Sequence, residues 1–182
     1  MEPADSKVYD HLLSKIVTDK YAKIEYERRF LVTSPPQLSA CRYTDIVDQY
    51  LDVGRLRLRK VTHADGETQY KLSKKYAPRS ATMTPIVNIY LDEAEYTTFA
   101  TLPAQSLSKR RYYLESDRGM FAIDAFEGNL AGLYLAEAER DSEASLAALE
   151  LPSWINREVT HEPEYQGANL AKTTYAKLLG QG

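Results

Sequence analysis

Glu25, Glu27 and Arg29 occupy every second position of the stretch Ile24-Glu25-Tyr26-Glu27-Arg28-Arg29-Phe30-Leu31-Val32. In a β-strand alternate side chains share a face, so these three project together while Ile24, Tyr26, Arg28 and Phe30 take the other side. Two residues of rise place the carboxylates about 7 Å apart. Oxygen ligands can clasp a divalent cation across such a span, and the guanidinium one step on suits an anion. Taken alone the pattern also reads as a solvated strand face whose charges satisfy one another. The same alternation of charge, however, recurs along the chain.

Arg55, Arg57 and Arg59 share one face of Arg55-Leu56-Arg57-Leu58-Arg59-Lys60. Three cations in a row repel one another, so they are either solvated or facing an anion. Lys71 and Lys75 lie on one face with Ser73, and Lys109 on one face with Arg111. Asp124 is an acid among apolar neighbours in Met120-Phe121-Ala122-Ile123-Asp124-Ala125-Phe126, and in a dry core it needs a partner. Glu137 and Glu139 repeat the spaced acid pair, with small or apolar residues between them.

The elements that must carry these groups are mostly strands. Alternation predicts strands at 22 to 32, 43 to 52, 55 to 61, 69 to 76, 83 to 91, 107 to 115, 120 to 126 and 133 to 139. Asp48, Tyr50 and Asp52 share a face of the second. Helical spacing predicts an N-terminal amphipathic helix over 5 to 18, a helix from Asp92-Glu93 through Leu102, a short one near 142 to 149, and a closing helix over 169 to 179. Trp154 is expected to pack under that closing helix. Eight strands joined mainly by hairpins define a mainly β fold with flanking helices, of the α+β kind. The expected architecture is an eight-stranded antiparallel tunnel barrel over residues 22 to 182, preceded by the helical segment 1 to 21.

Composition narrows the function. A chain of 182 residues with 43% apolar residues suits one domain, and a net charge of -3 argues against a general nucleic-acid binder. Cys41 is the only cysteine, which excludes an intramolecular disulfide and a cysteine metal cluster and suggests a reducing compartment. No run approaches the ~18 apolar residues of a membrane span, so a cytoplasmic protein without membrane contact is expected. There is no glycine-rich phosphate loop and no spacing that suggests a Ser/His/Asp arrangement.

The faces that point into such a barrel are charged. Glu25, Glu27, Asp124, Glu137 and Glu139 supply acid; Arg29, Arg55, Arg57, Arg59, Lys71, Lys75, Lys109 and Arg111 supply base. Burying these dry would cost several kcal/mol per ion, so the interior should be a wet tunnel for a charged guest. The cations suit phosphate oxygens, and a carboxylate cluster suits Mg²⁺ or Mn²⁺ bridging to the same phosphates.

Glu25-Tyr26-Glu27-Arg28-Arg29-Phe30-Leu31-Val32 is similar to the E-x-E-x-K signature that opens the CYTH domain, or triphosphate tunnel metalloenzyme fold. Arg55-Leu56-Arg57-Leu58-Arg59 resembles its R-x-R strand, and Lys109-Arg110-Arg111-Tyr112 its later basic strand. Asp124-Ala125-Phe126-Glu127-Gly128 and Leu135-Ala136-Glu137-Ala138-Glu139 resemble its second acidic half. Glu158-Val159-Thr160, Tyr165 and Asn169-Leu170-Ala171 resemble its C-terminal segment. The resemblance spans roughly residues 22 to 176.

It implies divalent-metal-dependent hydrolysis of a triphosphate, inorganic or organic. Glu25, Glu27, Glu137 and Glu139 would be metal or metal-water ligands, with Asp124 a further metal ligand. The arginines and lysines, Arg59 included, would hold phosphates, and Tyr50 would sit near the end of the bound chain. Glu25, Glu27, Arg29 and Tyr50 form the expected catalytic group. Two departures stand out: Arg29 replaces the signature lysine, and the strand 84 to 91 carries no glutamate. They keep open a non-catalytic polyphosphate or triphosphate binder. A nucleotidyl cyclase of the class IV kind is a further alternative, for which no adenine site is evident. Related tunnel proteins often form dimers, so a homodimer is an expectation too.

Overall fold

In the computed structural model, residues 20 to 180 other than residue 53 are described. The helix expected over 5 to 18 lies outside the described residues. The strands are β1 (Lys23–Leu31), β2 (Arg42–Leu51), β3 (Leu56–His63), β4 (Thr68–Lys75), β5 (Met83–Leu91), β6 (Ala104–Ser116), β7 (Gly119–Phe126), β8 (Tyr134–Arg140) and the two-residue β9 (Arg157–Glu158). The sheet order is β5-β4-β3-β2-β6-β7-β8-β1-β9, and β1 also pairs with β5. β1 to β8 thus form a closed, wholly antiparallel ring, with every expected strand present.

Closure depends on β1 serving two neighbours. Its first half, Lys23 to Tyr26, pairs with β5; from Tyr26 to Leu31 it pairs with β8. Where β5 has diverged, β9 takes up Phe30 and Leu31, which removes the remaining edge. The β3–β4 hairpin turns at Gly66, whose φ of +90° suits a residue without a Cβ.

Apolar residues gather in two places. On the outside of β1, β7 and β8, Phe30, Val32, Phe121, Ile123, Ala136 and Ala138 form one cluster. The segment after β8 covers it, beginning with helix α2 (Glu143–Ala147). Trp154 belongs here, edge-on to Phe121 at 5.4 Å between centroids, and not under the C-terminal helices. Inside one end of the bore, Leu107, Phe126 and Leu135 meet Val159, Tyr165, Leu170 and Leu178. That end is therefore shut by an apolar floor, and the rest of the interior is left for charge.

Helix α1 (Glu93–Phe99) starts as expected, with Asp92 and Glu95 forming a reciprocal capping box. It lies against β4, where Tyr96 stacks on Tyr70 at 4.5 Å. The closing helix is interrupted: α3 (Gly167–Leu170) and α4 (Tyr175–Leu179) are separate turns. Thr174 caps α4 by accepting from the Lys177 amide, so the hydroxyl that could have continued one helix begins another. Among the described residues no helix is long and apolar enough to cross a membrane.

Candidate functional site

The bore encloses a cavity of about 740 Å³. Glu25, Glu27, Arg29, Arg55, Arg57, Arg59, Lys71, Lys75, Lys109, Arg111, Glu137 and Glu139 all line it, and so does Tyr50. Strand parity thus brings the sequence-derived residues together from six strands and the β2–β3 turn. Asp124 is the exception, and its expected metal role is corrected by where it lies. It is fully buried behind the lining, both oxygens engaged: Arg111 Nε donates to Oδ1 at 2.6 Å, an Arg111 terminal nitrogen to Oδ2 at 2.7 Å, and Lys109 Nζ to Oδ2 at 2.5 Å. No oxygen is left for a metal. Asp124 instead anchors two cations in the wall.

The acid wall is built by the β1–β8 register, which sets Glu27 opposite Glu139 and Arg29 opposite Glu137. Arg29 donates from Nε to Glu137 Oε1 at 3.1 Å, from one terminal nitrogen to Glu27 Oε1 at 2.6 Å, and from the other to the Tyr165 carbonyl at 3.1 Å. Arg111 donates to Glu137 Oε2. Lys75 pairs with Glu25 at 2.9 Å and Lys23 with Glu139 at 2.7 Å.

Charge states follow from these neighbours. Burial works against ionisation of Glu137, but Arg111 and Arg29 outweigh it and hold the carboxyl well below its ordinary value. Burial and the adjacent Glu137 push the Glu27 carboxyl up. Burial opposes the charge of Glu25 as well, and Lys75 more than compensates, so its pKa is lowered. Glu27 therefore lies where negative charge is already crowded, the kind of place that a bound cation relieves.

The facing wall comes from β2, β3 and β4. Asp48, fully buried, takes both Arg59 Nε at 2.6 Å and an Arg59 terminal nitrogen at 2.7 Å. Arg59 was expected as a phosphate contact, yet two of its nitrogens are committed to the protein. Arg57 has only a long hydrogen bond to Ser73 Oγ, 3.4 Å, and its Nε is buried without one, 3.8 Å from Asp48 Oδ1. Lys71, across the ladder from Arg59, makes no hydrogen bond or ion pair among the described residues. Burial and the nearby Arg59 and Arg57 push its ammonium down to about 8. Arg55, exposed at the rim, is likewise without a hydrogen-bonded acid among the described residues. Tyr50 is pushed up to about 12, chiefly by burial and then by Asp48.

Asp48 was missed as a site residue although it shares a face with Tyr50; its pairing across β2 and β3 is the signal that would have found it. The C-terminal contribution was also missed. Residues 165 to 170 and Lys172 line the cavity. Gly167 lies so close to Tyr50 that a Cβ there would be 1.9 Å from the Tyr50 hydroxyl oxygen.

Among the described residues no three His, Cys, Asp or Glu side chains converge on one metal position. The donor set still suits a hard cation shared with a guest. In each of Glu25, Glu27 and Glu139 one carboxylate oxygen is held by a protein cation and the other accepts no hydrogen bond among the described residues. Oxygen donors of this kind fit Mg²⁺ or Mn²⁺ completed by water and phosphate.

A closed antiparallel barrel with a floor at one end, an acid wall and a facing cation wall is a tunnel-type receptacle for a small polyanion. No family model matches the chain. It is 30% identical over 152 residues to an inorganic triphosphatase of Nitrosomonas europaea, a match that covers 81% of this chain and 96% of that one. An inorganic triphosphatase of Acetivibrio thermocellus is 38% identical over 69 residues, covering 38% of this chain and 43% of the other. Among solved structures, the inorganic triphosphatase NE1496 superposes with a TM-score of 0.56 at 26% identity, covering 81% of this chain and 93% of that one. The chain belongs to the inorganic triphosphatase family of the triphosphate-tunnel, or CYTH, fold.

Proposed function

We propose that this protein hydrolyses a triphosphate held in the barrel, with Mg²⁺ or Mn²⁺ required and inorganic tripolyphosphate the first substrate to test. The observation that carries the reading is the division of one cavity into two poles. Glu25, Glu27 and Glu139 offer free carboxylate oxygens on one side, and Arg57 and Lys71 offer cations without hydrogen-bonded acids on the other. A phosphate chain is the ligand that needs both at once.

One or two of the carboxylates Glu25, Glu27 and Glu139 at a time, completed by water and phosphate, would hold the divalent ion, while Glu137, expected as a further ligand, has its two oxygens engaged by Arg29 and Arg111. When bound, the ion supplies positive charge against the phosphate oxygens. Arg57, Lys71 and Arg55 bind and orient the chain, and Lys75 and Arg111 neutralise oxygens nearer the acid wall. Water attacks the terminal phosphorus and releases its proton to solvent in the bore, the bridging P–O bond breaks, and the leaving diphosphate departs with its charge stabilised by the same cations. Tyr50 keeps its proton near neutral pH, being pushed up to about 12, and is a hydrogen-bond donor to the chain. The apolar floor of Leu107, Phe126 and Leu135 excludes water from that end.

Cytoplasmic location and assembly as a homodimer are part of the same reading; the lone Cys41 supports the first, and sedimentation tests the second. The decisive screen incubates the protein with tripolyphosphate and with nucleoside triphosphates, in Mg²⁺, Mn²⁺ or a chelator. Orthophosphate release dependent on metal supports hydrolysis. Tight binding of tripolyphosphate without turnover would instead make the protein a sensor, and cyclic nucleotide among the products would make it a cyclase.

A further inference from the structure

We propose that Arg29 is a positioning residue, a strut that fixes the acid wall and fastens the C-terminal segment across the tunnel, and that it does not contact phosphate. The inference rests on the hydrolytic reading for its consequence but on geometry for its substance.

Each of the three guanidinium nitrogens donates to a protein acceptor. They reach Glu137 on β8, Glu27 on β1 itself and the carbonyl of Tyr165 in the C-terminal segment. The Arg29 side chain keeps only 9% of its surface accessible, so a phosphate would find little of it. The backbone of the same residue holds the same segment: its amide donates to Thr160 Oγ1 at 2.9 Å, and its carbonyl accepts from the Val159 amide at 2.8 Å. Tyr165 is followed directly by Gln166, Gly167 and Ala168, which line the cavity and put Gly167 against the Tyr50 hydroxyl.

Lysine in this place would keep the charge and lose the shape. One ammonium on a flexible stem cannot span two carboxylates and a carbonyl in a fixed fork, whereas the planar guanidinium does so with little entropy left to lose. Arg29 holds Oε1 of Glu27, leaves the other oxygen of that carboxylate without a hydrogen bond among the described residues, and bridges Glu27 to Glu137. Residues in this supporting position commonly change metal affinity or activity about 10-fold to 100-fold when altered.

The test compares wild type with Arg29→Lys and Arg29→Gln, each checked for folding by circular dichroism. Amide hydrogen exchange over residues 166 to 172 needs no ligand and no turnover. Both variants should exchange there about 10-fold faster, because the Tyr165 tether is gone. Mn²⁺ binding to Arg29→Lys, read by electron paramagnetic resonance without substrate, should weaken about 10-fold, while its KM for tripolyphosphate changes less than about 3-fold. Thr160→Val, which leaves the guanidinium in place, should bind Mn²⁺ as wild type does. Unchanged exchange over 166 to 172 in either folded variant overturns the proposal. So does a KM raised more than about 10-fold with Mn²⁺ affinity intact, the signature of a lost phosphate contact. Since the exchange experiment uses no substrate, an absence of hydrolysis in wild type would refute the hydrolytic reading and leave this result standing.

Discussion

Asp48 and Arg59 face each other across β2 and β3 in a two-point ion pair, 2.6 and 2.7 Å, with the carboxylate fully buried. The pair stiffens the cation wall and turns one predicted phosphate contact into scaffold. Removing the acid would leave Arg59 beside Arg57 and Lys71 with nothing to balance it. Asp48→Asn should therefore lower stability by about 3 kcal/mol, measured by urea denaturation, as breaking one side of a buried pair does. A loss below about 1 kcal/mol would show that water already balances Arg59.

The same pair predicts acid sensitivity. Burial opposes the charge of Asp48, but Arg59 and Arg57 hold its folded-state pKa well below the ordinary aspartate value. A depressed carboxyl contributes stability that is complete above the unfolded value of about 3.9 and fades as pH falls from there toward the folded one. Wild type should lose more stability than Asp48→Asn between about pH 5 and pH 2, in urea melts at matched ionic strength. Parallel curves would contradict this.

Lys71 shows the opposite relation between binding and stability. It lies among like charges without an ion pair among the described residues, so its charge costs the empty protein something. Lys71→Met should raise the melting temperature slightly and raise the tripolyphosphate KM about 10-fold or more, a trade expected where a site is built for a guest. A variant both less stable and fully active would refute the assignment.

Its proton gives a pH limb. The folded-state pKa of Lys71 is lowered from 10.5 to about 8, so the penalty of the charged form is full below pH 8 and disappears as pH rises toward the unfolded value. Stability from this group therefore increases between pH 8 and 10.5. Binding runs the other way: above pH 8 the empty site loses a cation, and the tripolyphosphate KM should climb. Lys71→Arg, which keeps its proton, should flatten that limb. An identical limb in both proteins would assign it to the substrate or another group.

Much of the barrel is legible in the sequence because strand alternation carries it. Glu25, Glu27 and Arg29 share a face in any extended chain, and so do Lys71 with Lys75 and Lys109 with Arg111. Closure is legible too, since eight short strands with charged inner faces have few other ways to hide their edges. What alternation does not carry is which strand lies beside which. The Asp48–Arg59 pair and the capture of Asp124 by Lys109 and Arg111 depend on register between strands, so a buried acid in the wall could not be told from one in the bore. The tail was hardest to read. Helical spacing over 169 to 179 concealed a break at Thr174, and nothing local shows that Tyr165 to Leu170 would fold back to form part of the cavity. The place of Trp154 is hidden for the same reason: its partner Phe121 is distant in the chain.

In the proposed hydrolysis the acid wall and the cation wall act together on one phosphate chain. Phosphorus NMR of tripolyphosphate with Mn²⁺-free, Mg²⁺-supplied wild type and Glu27→Gln tests it most directly. Glu27→Gln keeps the shape and one oxygen but removes the charge that the ion needs. Wild type should convert the triphosphate signals into those of diphosphate and orthophosphate, and Glu27→Gln should slow this at least about 100-fold while still binding the chain. Equal rates in the two proteins, or no conversion by either, would contradict it.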